Sequence, residues 1–263
     1  MRVIIGKAPS TKTIHSKKEI YDIIRIESGI PLFIHAHFSR ILSGLTSFNE
    51  QAIFKHEILL KGIYQLISDE KICNKNIKIS HFINDDEYRF FIFSINSNYP
   101  SIKMYQEGIE TALLHAERNL PNIKVAHTKV RESANAKIKS QNIFETLLVN
   151  HLSEITEGSR SNVFFIKGRQ IITAPDHAVL QGIIRGKTIE VINKKGFSLV
   201  YACTKASELA AIDAAFITGT SLRILPIKNI DSFTFDVKHP ILIELTEGLN
   251  RLIEDYKKNA DTH

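Results

Sequence analysis

Four short stretches of the chain carry residue types whose spacing suits chemistry. The first is TEGSRSNVFF, residues 156–165, where Glu157 stands beside a glycine and is followed by Ser159, Ser161 and Asn162 before an apolar alternation begins. Such a stretch reads as a tight turn feeding a strand, and a carboxylate on a turn is better placed to reach a ligand than one on a solvated helix face. The second is HAHFSRI, which puts Arg40 at helical spacing; the fixed fork of a guanidinium is a natural partner for a phosphate. The third is VLQGIIRGK, residues 179–187, in which Gly182 marks the point where an apolar loop becomes a helix. The backbone N–H groups of Ile183 and Ile184 would then face an anion at a helix N-terminus. The fourth, FITGTS, residues 216–221, ends a strand on a glycine flanked by the hydroxyls of Thr218, Thr220 and Ser221. Taken singly, each has a plainer reading: a loop glutamate, a surface arginine, a turn glycine, a hydroxyl-rich loop.

Together they match one set of demands. A lysine of lowered pKa can form a Schiff base with an aldehyde, and a carboxylate facing a pyridine nitrogen keeps that ring protonated as an electron sink. An arginine and backbone amides hold a phosphate. This is the donor set that pyridoxal phosphate requires, although composition alone does not choose the lysine.

The elements that must position these groups follow from the hydrophobic pattern. Residues 2–6 read as a short first strand; 19–26 (EIYDIIRI) as a strand turned by Ser28-Gly29, with 31–34 returning as the second arm of a hairpin. The period then becomes helical over 37–45 and again over 49–68. Strands are expected at 77–83 and 88–95, joined by a turn at Asn84-Asp85-Asp86, and the aperiodic, Pro100-bearing segment 94–103 reads as a linker. Beyond it the pattern gives strands at 109–115, 143–150, 162–166, 170–174, 197–202 and 214–218, with helices at 129–139, 182–194 and 240–257. The expected organisation is α+β: a smaller N-terminal α/β domain over 1–98, a linker over 99–104, and a larger domain over 105–263.

The chain has 263 residues, 43% of them hydrophobic, enough to bury real cores. No apolar run reaches membrane-spanning length and the N-terminus shows no secretory pattern, so a cytoplasmic protein without membrane association is expected. Cys73 and Cys203 match no metal spacing, and the eleven histidines include no H-E-x-x-H pair, so no metal site is expected. The net charge of +6 is spread in small lysine clusters such as Lys137 with Lys139 and Lys194 with Lys195, which suits a solvated surface and anionic small molecules better than nucleic acid.

These stretches resemble the class IV, or fold-type IV, pyridoxal-phosphate enzymes: branched-chain and D-amino acid aminotransferases and 4-amino-4-deoxychorismate lyase. The resemblance runs from YDIIRIESGIPLFIHAHFSRI, residues 21–41, through TEGSRSNVFF and VLQGIIRGK to FITGTSLRILPI, residues 216–227. It implies a C-terminal pseudo-barrel domain, a cofactor in the cleft between the domains, and a homodimer. It further implies that Glu157 is the pyridine-nitrogen partner, Arg40 the phosphate arginine and Tyr21 the active-site tyrosine that precedes it. Leu180 would pack on the ring, with the amides of Ile183 and Ile184 and the hydroxyls of Thr220 or Ser221 on the phosphate. The family's lysine lies a little over thirty residues before the glutamate. Lys124, thirty-three before Glu157, fits without a gap, whereas Lys129, twenty-eight before it, would need a deletion.

The chain departs from the family pattern at His127, where asparagine is common, at Ile184, where many members have threonine, and at Ala36, where an acidic residue is frequent. The glycine-rich entry before the tyrosine is replaced by SKKEI. The implied activity is a transaminase that passes an amino group from an amino acid to a 2-oxo acid, with the lyase reaction as the alternative and a non-catalytic binding relative as a third reading. Substrate recognition is not legible; His35, Arg131 and Arg160 are candidate carboxylate partners beside Tyr21.

Overall fold

The computed structural model describes residues 2–10, 18–50, 55–83, 88–126 and 128–260. It divides into two units. The first comprises Met1–Asn98, Ile123–Ala126 and Ile253–His263; the second comprises Tyr99–Asn122 and His127–Leu252.

The first unit is a five-stranded sheet covered on one face by two helices. Its strands are β1 (Arg2–Ile5), β2 (Glu19–Glu27), β3 (Ile30–Pro31), β4 (Lys75–Phe82) and β5 (Arg89–Ile95), in the order β1-β5-β4-β2-β3. The helices are α1 (Ile34–Thr46) and α2 (His56–Asp69). Alternation in β2 places Ile20, Ile24 and Ile26 in one core with Phe38, Ile41 and Leu45 of α1 and Leu59, Ile63 and Leu66 of α2. Asp22 falls on that same apolar phase and is fully buried. The segment Ile123–Ala126 lies antiparallel along the edge of β2, with Tyr21 N donating to Lys124 O (3.2 Å) and Ala126 N to Glu19 O (3.1 Å).

Two expectations for this unit are corrected. Residues 31–34 do not return as a strand: β3 ends at Pro31, Phe33 takes a left-handed φ of 53° and α1 starts at Ile34. The Phe33 ring packs on Tyr256, centroids 4.7 Å apart, and this buried contact offsets the cost of that backbone conformation. The helix expected over 49–68 begins only at His56, since Asn49 has φ 55° and Glu50 N closes back on Leu45 O. Residues 51–54, the turn at 84–86 and His127 lie outside the described residues.

The second unit opens with α3 (Ile102–Glu107), capped by Ser101, whose hydroxyl accepts from Met104 N (3.3 Å), so the segment read as a featureless linker is partly helical. A ten-stranded sheet follows: β6 (Ile109–His115), β7 (Glu145–Val149), β8 (Glu154–Gly158), β9 (Asn162–Lys167), β10 (Gln170–Thr173), β11 (Ser198–Tyr201), β12 (Thr204–Lys205), β13 (Ala214–Gly219), β14 (Arg223–Ile230) and β15 (Phe233–Thr234). Helix α4 (Lys129–Gln141) connects parallel β6 and β7, and α5 (Ile183–Lys194) connects parallel β10 and β11, as parallel pairs require. Helix α6 (Pro240–Ala260) closes the chain.

Strand β14 was not anticipated. Pro226 argues against a central strand, yet β14 pairs with both β13 and β6. The ladder with β6 starts only at Ile227, so the missing proline N–H costs no hydrogen bond on that side. The turn expected at Glu157 is also displaced: Glu157 belongs to β8, and the turn comes after it, closed by Gly158 N donating to Ser161 O (2.8 Å). Among the described residues no helix is long and apolar enough to cross a membrane.

Candidate active site

In the first unit the functional groups collect around two neighbouring residues of β2, one on each face. Tyr21 points to the face opposite the helices. The Lys124 ammonium lies 5.1 Å from its ring centroid and that of Lys78 4.6 Å. Lys78 is paired with the buried Glu19 carboxylate (2.6 Å), which also accepts from Ser80. Backbone pairing of residues 123–126 with β2 therefore fixes where Lys124 leaves the chain. Lys129, in contrast, is exposed at the first position of α4, after the capping residue Thr128.

On the other face Asp22 receives Arg40 in a side-on, two-bond pairing: Nε to Oδ2 at 2.9 Å and Nη2 to Oδ1 at 2.5 Å. His37 Nδ1 stands 3.2 Å from Oδ1. His37 and Arg40 are three apart on α1 and so share a helix face. Burial by itself would raise the Asp22 carboxyl, but the Arg40 and His37 charges outweigh it and hold the group below the usual carboxylate range. Burial lowers the His37 pKa, against the pull of Asp22.

In the second unit Glu157 is buried at 2% exposure, yet well supplied with donors. Arg118 Nε stands 3.2 Å from Oε1, while Oε2 accepts from Leu180 N (3.2 Å) and from Asn162 Nδ2 (3.5 Å). Asn162 Nδ2 also donates to Leu180 O (2.8 Å), and a Cβ on Gly182 would collide with its Oδ1. Glycine at 182 is thus demanded by a close approach, and it ties the carboxylate to the start of α5. Arg185 anchors the preceding loop by donating to Asp176 (2.7 Å) and to Ala174 O (2.8 Å). The first amides of α5, those of Ile183 and Ile184, have no carbonyl one turn back within the helix and can receive an anion.

A second buried carboxylate shapes the turn after Glu157. Glu145 accepts from Ser159 Oγ (2.6 Å), Ser161 Oγ (3.0 Å), Arg160 N (3.1 Å) and Thr146 N (2.9 Å). Arg118 and Arg131 both donate to Ser159 O, at 2.9 and 2.8 Å.

The structure thus brings together Tyr21 with Lys124, and Glu157 with Leu180. Thr220 and Ser221 follow β13 and are partly exposed. His35 is exposed on the first turn of α1, and Arg160 is engaged by Phe144 O (2.9 Å). Three residues went unnoticed in the sequence reading. Asp22 left a signal, an acid on the apolar phase of EIYDIIRI; Lys78 sits in an alternating strand and Arg118 in a loop, and neither carries a local signal.

The first unit thus sets a lysine and an arginine from one strand, and the second holds a buried carboxylate beside the start of a helix whose first amides can receive an anion. The sequence model described as "Amino-transferase class IV" matches residues 19–230, and the chain belongs to that family. It is 23% identical over 248 residues to a probable branched-chain-amino-acid aminotransferase of Thermotoga maritima, covering 91% of this chain and 88% of the relative. It is 26% identical over 258 residues to the aminodeoxychorismate lyase of Bacillus subtilis, covering 91% and 86%. The fold is that of fold-type IV enzymes: a putative 4-amino-4-deoxychorismate lyase from Legionella pneumophila superimposes with a TM-score of 0.86 over 95% of this chain and 98% of that one, at 18% identity.

Proposed function

We propose that this class IV enzyme is a pyridoxal-phosphate-dependent aminotransferase in which Lys124 is the catalytic lysine. The amino donor is an amino acid and the acceptor a 2-oxo acid such as 2-oxoglutarate. The observation that carries this reading is the pairing of residues 123–126 with β2, which fixes Lys124 beside Tyr21 while Lys129 sits exposed on α4. The residues present fit the cofactor. On this reading Lys124 and Arg40 serve the aldehyde and the phosphate, Glu157 the ring nitrogen, Leu180 the ring, and the amides of Ile183 and Ile184 with Thr220 and Ser221 the phosphate.

When bound, pyridoxal phosphate supplies an aldehyde that captures amino groups and a pyridinium ring that draws electrons from the α-carbon. The protein moves and holds protons around it. Lys124 Nζ would take up the proton that leaves the substrate α-carbon and hold it for return. Glu157, held in place by Arg118 and Leu180 N, keeps a proton on the ring nitrogen. Arg40 anchors without taking part in proton transfer. A homodimer working in the cytoplasm belongs to the same proposal.

The test is the visible spectrum of the protein with pyridoxal phosphate, for the wild type, Lys124→Ala and Lys129→Ala, followed by L- and D-amino acids. A band lost only in Lys124→Ala and shifted by a particular amino acid supports the reading and names the donor; a band surviving in Lys124→Ala but lost in Lys129→Ala moves the role to Lys129. The second reading, aminodeoxychorismate lyase, is favoured by the likeness to the Bacillus subtilis enzyme. Pyruvate release from aminodeoxychorismate with no 2-oxo acid present would select it.

A further inference from the structure

Asp22 stands out as a buried carboxylate that the proposed chemistry does not use. It occupies a position in β2 that the alternation assigns to the core, between Ile20 and Ile24, where an unpaired charge would be strongly destabilising. Its Oδ1 accepts from Ile23 N (2.7 Å), and its two side-chain partners come from α1, which carries the arginine proposed to take the cofactor phosphate. The side-on pairing engages Nε and one N–H of Nη2, leaving the Nη1/Nη2 end of the guanidinium directed away from the carboxylate. A guanidinium gripped along one edge has its plane and its outward end fixed together. His37 Nδ1, at 3.2 Å from Oδ1, completes the support from the same helix face.

We propose that Asp22 is the positioning residue of the phosphate arginine: by clamping the Nε/Nη2 edge of Arg40, it aims the other end of the guanidinium at the cofactor phosphate. The proposal rests on the reading that Arg40 binds that phosphate. A carboxylate that merely stabilised the sheet would support all ligands alike, whereas a clamp on the phosphate arginine acts only on ligands that carry a phosphate.

The experiment compares the affinity of the full-length protein for pyridoxal phosphate and for pyridoxal, followed by the visible absorbance of the lysine–aldehyde adduct. Arg40→Gln, Asp22→Asn and Asp22→Glu are measured beside the wild type. Arg40→Gln should weaken pyridoxal phosphate by about a hundredfold and pyridoxal by less than about twofold. Asp22→Asn, which keeps the shape but loses the charge-assisted grip, should weaken pyridoxal phosphate by about tenfold and leave pyridoxal nearly unchanged. Asp22→Glu keeps the charge, and with it the fold, but moves the guanidinium by one methylene, so the preference for the phosphorylated ligand should fall by about threefold. If Arg40→Gln leaves the preference intact, the assignment of Arg40 to the phosphate fails. If Arg40→Gln abolishes it while Asp22→Asn and Asp22→Glu lower both ligands equally or neither, the positioning role of Asp22 is overturned. Should Asp22→Asn not fold, Asp22→Glu decides alone: a wild-type preference rejects the proposal and a reduced one supports it.

Discussion

The two units hold their functional charges by inverse arrangements. In the first, the cation proposed to take a phosphate, Arg40, is gripped by a fully buried anion, Asp22, through two hydrogen bonds. In the second, the anion proposed to serve the ring nitrogen, Glu157, has a cation, Arg118, at 3.2 Å, and it also accepts from a backbone amide and from the Asn162 side chain. The supporting group is sealed in one case and 21% exposed in the other. A clamp that is buried and bidentate fixes direction; one that is partly exposed and backed by neutral donors places a charge without depending on any one partner.

The comparison breaks most visibly at Asp22. Asp22→Ala leaves Arg40 and His37 facing an apolar core without their anion, and removing one partner of a buried pair costs about 3–5 kcal/mol. Chemical denaturation of the two proteins side by side should show the first unit destabilised by that order. A loss below about 1 kcal/mol would mean that Arg40 swings out to water and that the pair is no clamp.

Glu157→Gln sharpens the other half. The amide can still accept from Leu180 N, so the fold should hold, but it cannot keep a proton on a pyridine nitrogen. Turnover should fall by about a hundredfold, with little change in melting temperature. Equal losses in turnover and stability would make Glu157 a structural acid instead.

How much of this was legible depended on whether the signal was local. The pattern of β2, α1 and α5 is written in periods of two and about three and a half, and the glycine at 182 and acid at 157 sit in short motifs, so the site's skeleton could be read directly. What failed was set by contacts distant in sequence. The strand expected at residues 31–34 gives way to α1 because Phe33 packs on Tyr256, more than two hundred residues away. Glu157 lies on a strand because Glu145, twelve residues earlier, gathers the donors of the turn that follows it. Asp22 was visible as an acid on the apolar phase of β2, but the identity of its partners required the register of α1 over β2. For Arg118, in the loop AERNLPN, no period or motif could have indicated its partner.

Arg118→Ala should have a smaller effect than either change above. Glu157 loses its charged neighbour but keeps the Leu180 amide and Asn162, so the stability cost should be about 1 kcal/mol. With Glu157 in its proposed role, the spectrum of the bound cofactor should respond more than the melting temperature, because the carboxylate no longer shares its charge with a guanidinium. A loss comparable to that of Asp22→Ala would erase the distinction between a clamp and a shared support.

The smallest expected effect separates the units by pH. The folded His37 pKa is lowered, chiefly by burial, so the unfolded chain binds a proton that the folded one refuses. Stability contributed by neutral His37 is therefore complete above the ordinary histidine value of about 6.5 and declines as pH falls through it, levelling off once the folded pKa is passed. Asp22, whose carboxyl is held low, adds a second loss only at much lower pH, below the ordinary carboxylate range. Hydrogen exchange followed from pH 7.5 to 5.5, corrected for the intrinsic rate, should therefore show β2 and α1 losing protection while β8 and the start of α5 hold theirs. His37→Gln should flatten the first trend and leave the second untouched; if both units soften together in the wild type and in the variant, the pH response arises elsewhere and His37 is only packing.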